Sequence, residues 1–156
     1  VAVISYAIWE EGIVVARGNP KKIRGVEDMA RADVTIVNRE PGSGSRLMLD
    51  NQLRRGGIPP ESVHGYGEIA PGHLPAAWQV KSGRADCCLA TKTAACVFGL
   101  DFISLESERY DLVIGNRNLG HPAVQVLLDT LGRTAFRREL EGLGGYDTRS
   151  AGDRLI

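Results

Sequence analysis

The chain has 156 residues, enough for one ordinary domain with a real core. Its 19 basic and 19 acidic residues cancel, so no global field draws it to nucleic acid or to an anionic membrane surface, and no apolar run approaches the roughly 20 residues that cross a bilayer. The three cysteines, Cys87, Cys88 and Cys96, are an odd count, and Cys87-Cys88 lies in an apolar run that suits core packing better than a disulfide framework. No secretory leader is visible, so a cytoplasmic setting is expected. The chain opens on Val1 rather than Met and is expected to be a fragment or a processed form.

In chain order, Val1 to Tyr6 is apolar and β-branched and predicts a strand, and Gly12 to Ala16 predicts a second. Arg17-Gly18-Asn19-Pro20 turns the chain. Ile23, Val26, Met29 and Ala30 share one helical face. Val34-Thr35-Ile36-Val37 reads as a buried strand, followed by Asn38-Arg39-Glu40-Pro41-Gly42-Ser43-Gly44-Ser45-Arg46 and a helix from Arg46 to Leu53. That helix stops at Gly56-Gly57, with Pro59-Pro60 just beyond. A short strand is expected over Ser62 to Tyr66, a loop over Gly67 to Gly72, and a helix from His73 to Lys81, ended by Gly83. Ala85 to Ala90 predicts a strand, and Thr91-Lys92-Thr93 opens a helix through Val97. Phe102 to Leu105 and Tyr110 to Ile114 read as a strand pair, Pro122 to Leu131 and Thr134 to Leu143 as helices. The polar tail after Gly144-Gly145 is expected to fray. The alternation of strands and helices predicts α/β layers on a mostly parallel sheet.

In such sheets ligands sit beyond the carboxyl ends of strands, and two hydroxyl-bearing helix starts fall there: Gly42 to Arg46 and Thr91 to Thr93. The first N–H groups of a helix lack internal partners and carry partial positive charge. Here no acidic residue stands at the third helical position to fill them, because Arg46 and Met48 follow Ser43 and Ser45 by three. Either the serines simply cap the helix, or Ser43, Gly44, Ser45 and Arg46 present donors to an external oxyanion. Arg46 suits a bidentate grip on a ligand and equally an i,i+4 pair with Asp50. Tyr66 and His73 flank a glycine-rich loop and are candidates to close over a ligand, a capping or surface role being the plainer reading of His73. Lys92 adds charge beside Thr91 or is simply solvated. The P-loop, the dinucleotide fingerprint and the G-x-S-x-G elbow are all absent. His64, His73 and His121 have no Cys or carboxylate at metal-ligand spacing, so neither metal, cofactor nor catalysis is expected. No aromatic-basic platform suggests direct nucleic-acid contact by this domain.

The run Asn38-Arg39-x-x-Gly42-Ser43-Gly44-Ser45-Arg46-x-x-Leu49-Asp50 resembles the N-R-x-x-G-S-G-T-R-x-L-L-D signature of a periplasmic-binding-protein-like family. Gly57-Ile58-Pro59, Gly65-Tyr66, Val80-x-Ser82-Gly83-Arg84-Ala85-Asp86, Gly99-Leu100-Asp101-Phe102-Ile103-x-Leu105, Glu108 to Ile114 and Leu143 to Asp147 follow in the family's order. The resemblance implies a type II solute-binding fold of two α/β lobes with crossing strands. It also implies a link to molybdate-responsive regulators or molybdenum-cofactor biosynthesis proteins, and a small oxyanion or related anionic metabolite as ligand. The family's upstream Gly-Ser-rich segment, ending in H-L-L-D, has no counterpart here. A single solute-binding-like domain over residues 1–156 is therefore expected, one lobe plus part of a second, with residues of about 15–90 the more complete lobe. A part-built lobe should leave apolar surface uncovered, so a homo-oligomer, most simply a dimer, is expected. The competing reading is a structural or regulatory interaction domain with a vestigial cleft.

Overall fold

Two strands of 14 residues, β1 (Ala2–Val15) and β5 (Asp101–Ile114), organise the computed structural model, which describes residues 1–156. The chain forms two compact units, Val1–Glu10 with Ser107–Ile156, and Glu11–Glu106. It passes from one to the other twice, each time inside one of these strands.

In the Glu11–Glu106 unit, β1 runs antiparallel to β4 (Cys87–Thr91), from Glu11 opposite Thr91 to Val15 opposite Cys87, and β5 lies on the other side of β1. The sheet continues beyond β4 in parallel sense. Val37 donates to the Cys87 carbonyl and Asp86 to the Thr35 carbonyl, and β2 (Asn38–Arg39) pairs parallel with β3 (Ile69–Ala70). Strand alternation sends successive side chains to opposite faces. Ile13, Val15, Cys87 and Leu89 join a core with Met48, Leu49 and Leu53 of α1 (Gly44–Arg55) and with Val26 and Met29 of a short 3₁₀ helix. Val14, Cys88 and Ala90 face a second core built by Ala76, Ala77 and Val80 of α2 (His73–Lys81) and Ala94 and Ala95 of α3 (Lys92–Phe98). Helices thus cover both faces of a sheet whose central strand is buried throughout. Each fully buried Leu or Ile adds about 1.5–3 kcal/mol relative to an exposed one. Cys87 and Cys88 fill core space on opposite faces as free thiols, and Cys96 is exposed on α3.

In the other unit, Ala2, Ile4 and Leu131 form a core with Leu112, Ile114, Leu128 and Phe136, beneath α4 (Pro122–Gly132) and α5 (Thr134–Gly142). Trp9 stacks on Tyr110 with ring centres 5.0 Å apart.

Several sequence expectations are corrected. The predicted strands at Val1 to Tyr6 and Gly12 to Ala16 are one strand, and so are those at Phe102 to Leu105 and Tyr110 to Ile114. Their middles, Ala7 to Glu11 in β1 and Glu106 to Arg109 in β5, stay extended because ladder pairing holds the backbone there. The sheet is not mostly parallel: β1 pairs antiparallel with β4, and the parallel pairing is confined to short segments beyond β4. Val34 to Val37 is extended and hydrogen-bonded, but the regular strand begins at Asn38. Ser62 to Tyr66 is not a strand; a 3₁₀ turn, Pro60–Ser62, stands at its start. The tail does not fray. β6 (Tyr146–Asp147) pairs with β1 at Trp9 and Ile8, and Val3 and Ser5 donate to the carbonyls of Ile156 and Asp153.

Gly65 fixes the close approach of two backbones. A Cβ there would lie 2.0 Å from the Ile36 carbonyl oxygen, and its φ of +84° disfavours any L side chain. Gly65→Ala should therefore destabilise the Glu11–Glu106 unit by about 2–4 kcal/mol, read as a fall in the urea midpoint without a change in slope.

Candidate functional site

The stretch Asn38 to Arg46 leaves the sheet at β2 and enters α1. Ser43 is the N-cap residue: its hydroxyl accepts the Arg46 N–H at 3.2 Å and donates to the Glu40 carbonyl at 2.9 Å. Both functions of the Ser43 hydroxyl are thereby used within the turn. The N–H groups of Gly44 and Ser45, at the first two helical positions, have no acceptor within the helix. Arg46 pairs with Asp50 one turn on, at 3.1 Å, and its guanidinium lies 4.3 Å from the ring centre of Tyr66. The Tyr66 hydroxyl donates to the same Asp50 carboxylate at 2.6 Å. Burial, helped by that hydrogen bond, raises the phenol's pKa.

Below this lies a buried polar network. Arg39 is only 6% exposed and gives Glu40 two hydrogen bonds, at 2.8 and 2.9 Å. These bonds, with a donation from the Gly72 N–H, hold the Glu40 carboxyl down at about 2 against desolvation. Nη1 of Arg39 lies 2.7 Å from Nδ1 of His73 and 3.4 Å from the Ser45 hydroxyl. A guanidinium only donates, so Nδ1 of His73 accepts and its proton sits on Nε2, 3.7 Å from the Glu11 carboxylate. Burial, reinforced by the Arg39 charge and opposed by Glu40, pulls the His73 pKa down to about 4. Glu11, itself buried, accepts from the Ser45 hydroxyl at 3.0 Å.

Three helix starts therefore address one place on β1. Ser45 of α1 and His73 of α2 approach the Glu11 side chain, while Thr91, the N-cap of α3, is its backbone partner across the sheet. Of the residues singled out from sequence, Ser43, Gly44, Ser45, Arg46 and Tyr66 surround the start of α1. His73 joins them through Arg39 and Thr91 through the β1–β4 pairing, and Lys92 follows Thr91 as the first residue of α3. The Thr91 hydroxyl accepts from the Ala94 N–H at 3.4 Å, so it caps α3. Sequence reasoning did not assign Glu11, Arg39 or Glu40 to the site. The adjacent opposite charges of Arg39 and Glu40 at the end of an apolar run were the available signal; nothing local points to Glu11.

The histidine sets a pH window. Unfolded, His73 takes up a proton below about pH 6.5, whereas in the fold it does so only near 4. Between those values the unfolded state binds more protons, so stability falls as pH drops from about 6.5 to about 4. The Glu40 contribution is lost only lower, from about 4.5 down towards 2. Melting temperatures at pH 7 and pH 5 should therefore differ less for His73→Gln, which keeps an acceptor for Arg39, than for the parent.

A model of the PBP superfamily domain matches residues 1–132. Over 153 residues the chain is 39% identical to the uncharacterized protein YvgK of Bacillus subtilis (strain 168), an alignment that takes in 98% of this chain and 49% of that protein. The chain thus spans about half the length of this curated relative. Among solved structures it is similar to L-phospholactate-bound PEB3, with a TM-score of 0.60 and 16% identity over 92% of this chain and 67% of that one. It is likewise similar to the probable amino-acid ABC transporter extracellular-binding protein ytmK from Bacillus subtilis, with a TM-score of 0.57 and 22% identity over 96% of this chain and 62% of that one. At these identities the structural likeness is one of fold. The chain belongs to the PBP superfamily, with the α/β architecture of one lobe and part of a second of a type II periplasmic-binding-protein-like fold.

Proposed function

We propose that the chain is a non-catalytic binding and sensor module for a small anionic ligand, an oxyanion such as molybdate or tungstate or a related anionic metabolite. It would act as a single solute-binding-like domain over residues 1–156, residues of about 15–90 being the more complete lobe, within a larger cytoplasmic regulator or molybdenum-cofactor protein. The observation that carries this reading is the pair of N–H groups on Gly44 and Ser45, without acceptors at the start of a 12-residue helix and beside the Arg46 cation. Because Ser43 caps the helix and Ser45 gives its hydroxyl to Glu11, the ligand is met by backbone donors rather than by the serine hydroxyls. Lys92 and the start of α3 add positive potential in the same unit. PEB3, of the same fold, is bound to L-phospholactate, also an anion.

Gly44→Pro tests the reading directly. Proline is tolerated at the first helical position, and the preceding Ser43, at φ −75° and ψ 150°, already has the backbone a proline demands of its neighbour. The variant keeps the helix and deletes one donor. In thermal melts with molybdate, tungstate, sulfate, phosphate and free amino acids, the binding anion should raise the parent's melting temperature with concentration. Gly44→Pro should weaken that binding about ten- to a hundred-fold. Ser43→Ala should lower stability by about 1 kcal/mol and leave the ligand-induced shift in place. A parent that shows no shift with any anion at millimolar concentration sinks the proposal.

A second reading, self-association with a vestigial cleft, is favoured by apolar side chains of the Ser107–Ile156 segment that face solvent: Val113 is 67% exposed and Val126 62%. It expects a two-fold dimer that Val126→Glu shifts towards monomer in light scattering at micromolar concentration. An unchanged mass for the variant, or a monomeric parent, counts against it.

A further inference from the structure

We propose that the cavity behind the Arg17 to Arg24 turn is a second ligand site, distinct from the start of α1, and that it takes a small polyanion carrying two or more phosphate or carboxylate groups. The cavity has a volume of about 510 Å³ and is lined by Pro20, Lys21, Lys22, Arg24, Arg31 and Asp33. That volume lies in the range of small-molecule sites. Four cations and one anion line it, on a chain whose formal charge is zero overall.

Part of this charge is held in a fixed wall. Arg31 grips Asp33 with two hydrogen bonds, at 3.0 and 2.8 Å, and donates to the Lys21 carbonyl. The Lys21 ammonium donates back to the Asp33 carbonyl at 2.6 Å. Asp33 is thus neutralised by Arg31, Asp28 lies 3.9 Å from both Arg24 and Arg31, and the two lysines, Lys21 and Lys22, carry the excess. Lys22 forms no ion pair, and Arg24 reaches Asp28 only at 3.9 Å.

The turn presenting them is built rather than loose. Asn19 and Lys22 both have left-handed backbones, at φ 46° and 52°, a conformation that side chains other than glycine rarely adopt. The Asn19 side chain holds it by accepting from the Ile23 N–H and donating to the Ile23 carbonyl, and Ile23 is locked in the core. The Lys22 N–H is used by the Asn19 carbonyl. The backbone that carries Lys22 is therefore fixed before any ligand arrives, which lowers the ordering cost of binding. The cations line one solvent-open recess of about 510 Å³, a space that suits a small polyanion.

Pyrophosphate is the probe. Calorimetry on the 156-residue chain at low salt should give one-site binding that weakens steeply with added chloride, and amide shifts in two-dimensional NMR should cluster on Asn19, Lys22, Ile23 and Arg24. Lys22→Asn removes a charge but keeps a residue that tolerates the left-handed backbone. It and Arg24→Gln should each weaken binding about five- to tenfold, the pair should abolish it at millimolar concentration, and Arg24→Lys should largely restore the single loss. Gly44→Pro should leave this binding unchanged, which separates the site from the one at α1. Absence of pyrophosphate binding, binding unaffected by the double variant, or binding of a glutamate-rich peptide without binding of pyrophosphate overturns the proposal.

Discussion

The buried guanidinium of Arg39 is the constraint on which the site depends. A charge withdrawn from water is tolerated only when its hydrogen bonds are met in full. Glu40 takes one side of the fork, and His73 and Ser45 share the remaining nitrogen. That sharing fixes the tautomer of His73 and lays the first residue of α2 against the first turn of α1. Ser45 passes the connection on to Glu11, so β1 is included. One cation thus registers a strand and two helices, and the pieces act as a network rather than as separate pairs.

Charge is used differently in the two places where an anion is invoked. Around α1 the side-chain charges are spent on one another: Arg39 with Glu40, Arg46 with Asp50. What is left for a ligand is chiefly directional N–H donation, which selects by geometry. In the cavity by Lys22 the charge in excess lies on lysine side chains, so recognition there is mainly Coulombic and depends on ionic strength.

Much of the Glu11–Glu106 unit was legible because its signals are local. Glycines on both sides of an apolar pattern mark α2, and Gly56-Gly57 with Pro59-Pro60 marks the end of α1. The core placement of Cys87-Cys88 follows from the apolar run around it. The i,i+4 spacing already offered Asp50 as a partner for Arg46, and the fold makes that pair. What could not be read was set by distant pairing. The Glu10-Glu11 pair of β1 and the polar run Glu106 to Arg109 of β5 look like breaks but are held extended by neighbouring strands. The tail is ordered only because β1 offers it an edge. Tyr66 meets Arg46 from 20 positions away, and Glu11 meets Ser45 from 34; no periodicity encodes either contact. The start of α1 stands where the Gly-Ser pattern places it, while the network beneath it comes from residues whose roles appear only in three dimensions.

The alternation of Cys87 and Cys88 across β4 has a chemical consequence. Neighbouring thiols on opposite faces of a strand cannot join without tearing it out of the sheet, and burial pushes the Cys88 thiol up to about 12 and the Cys87 thiol well above its ordinary value. Neither supplies thiolate at neutral pH. Cys96 stands exposed on α3, five residues after the Thr91 cap. Electrophiles and oxidants therefore meet a single addressable sulfur, and an alkylating dye would mark one helix beside the site without any change to the natural cysteines.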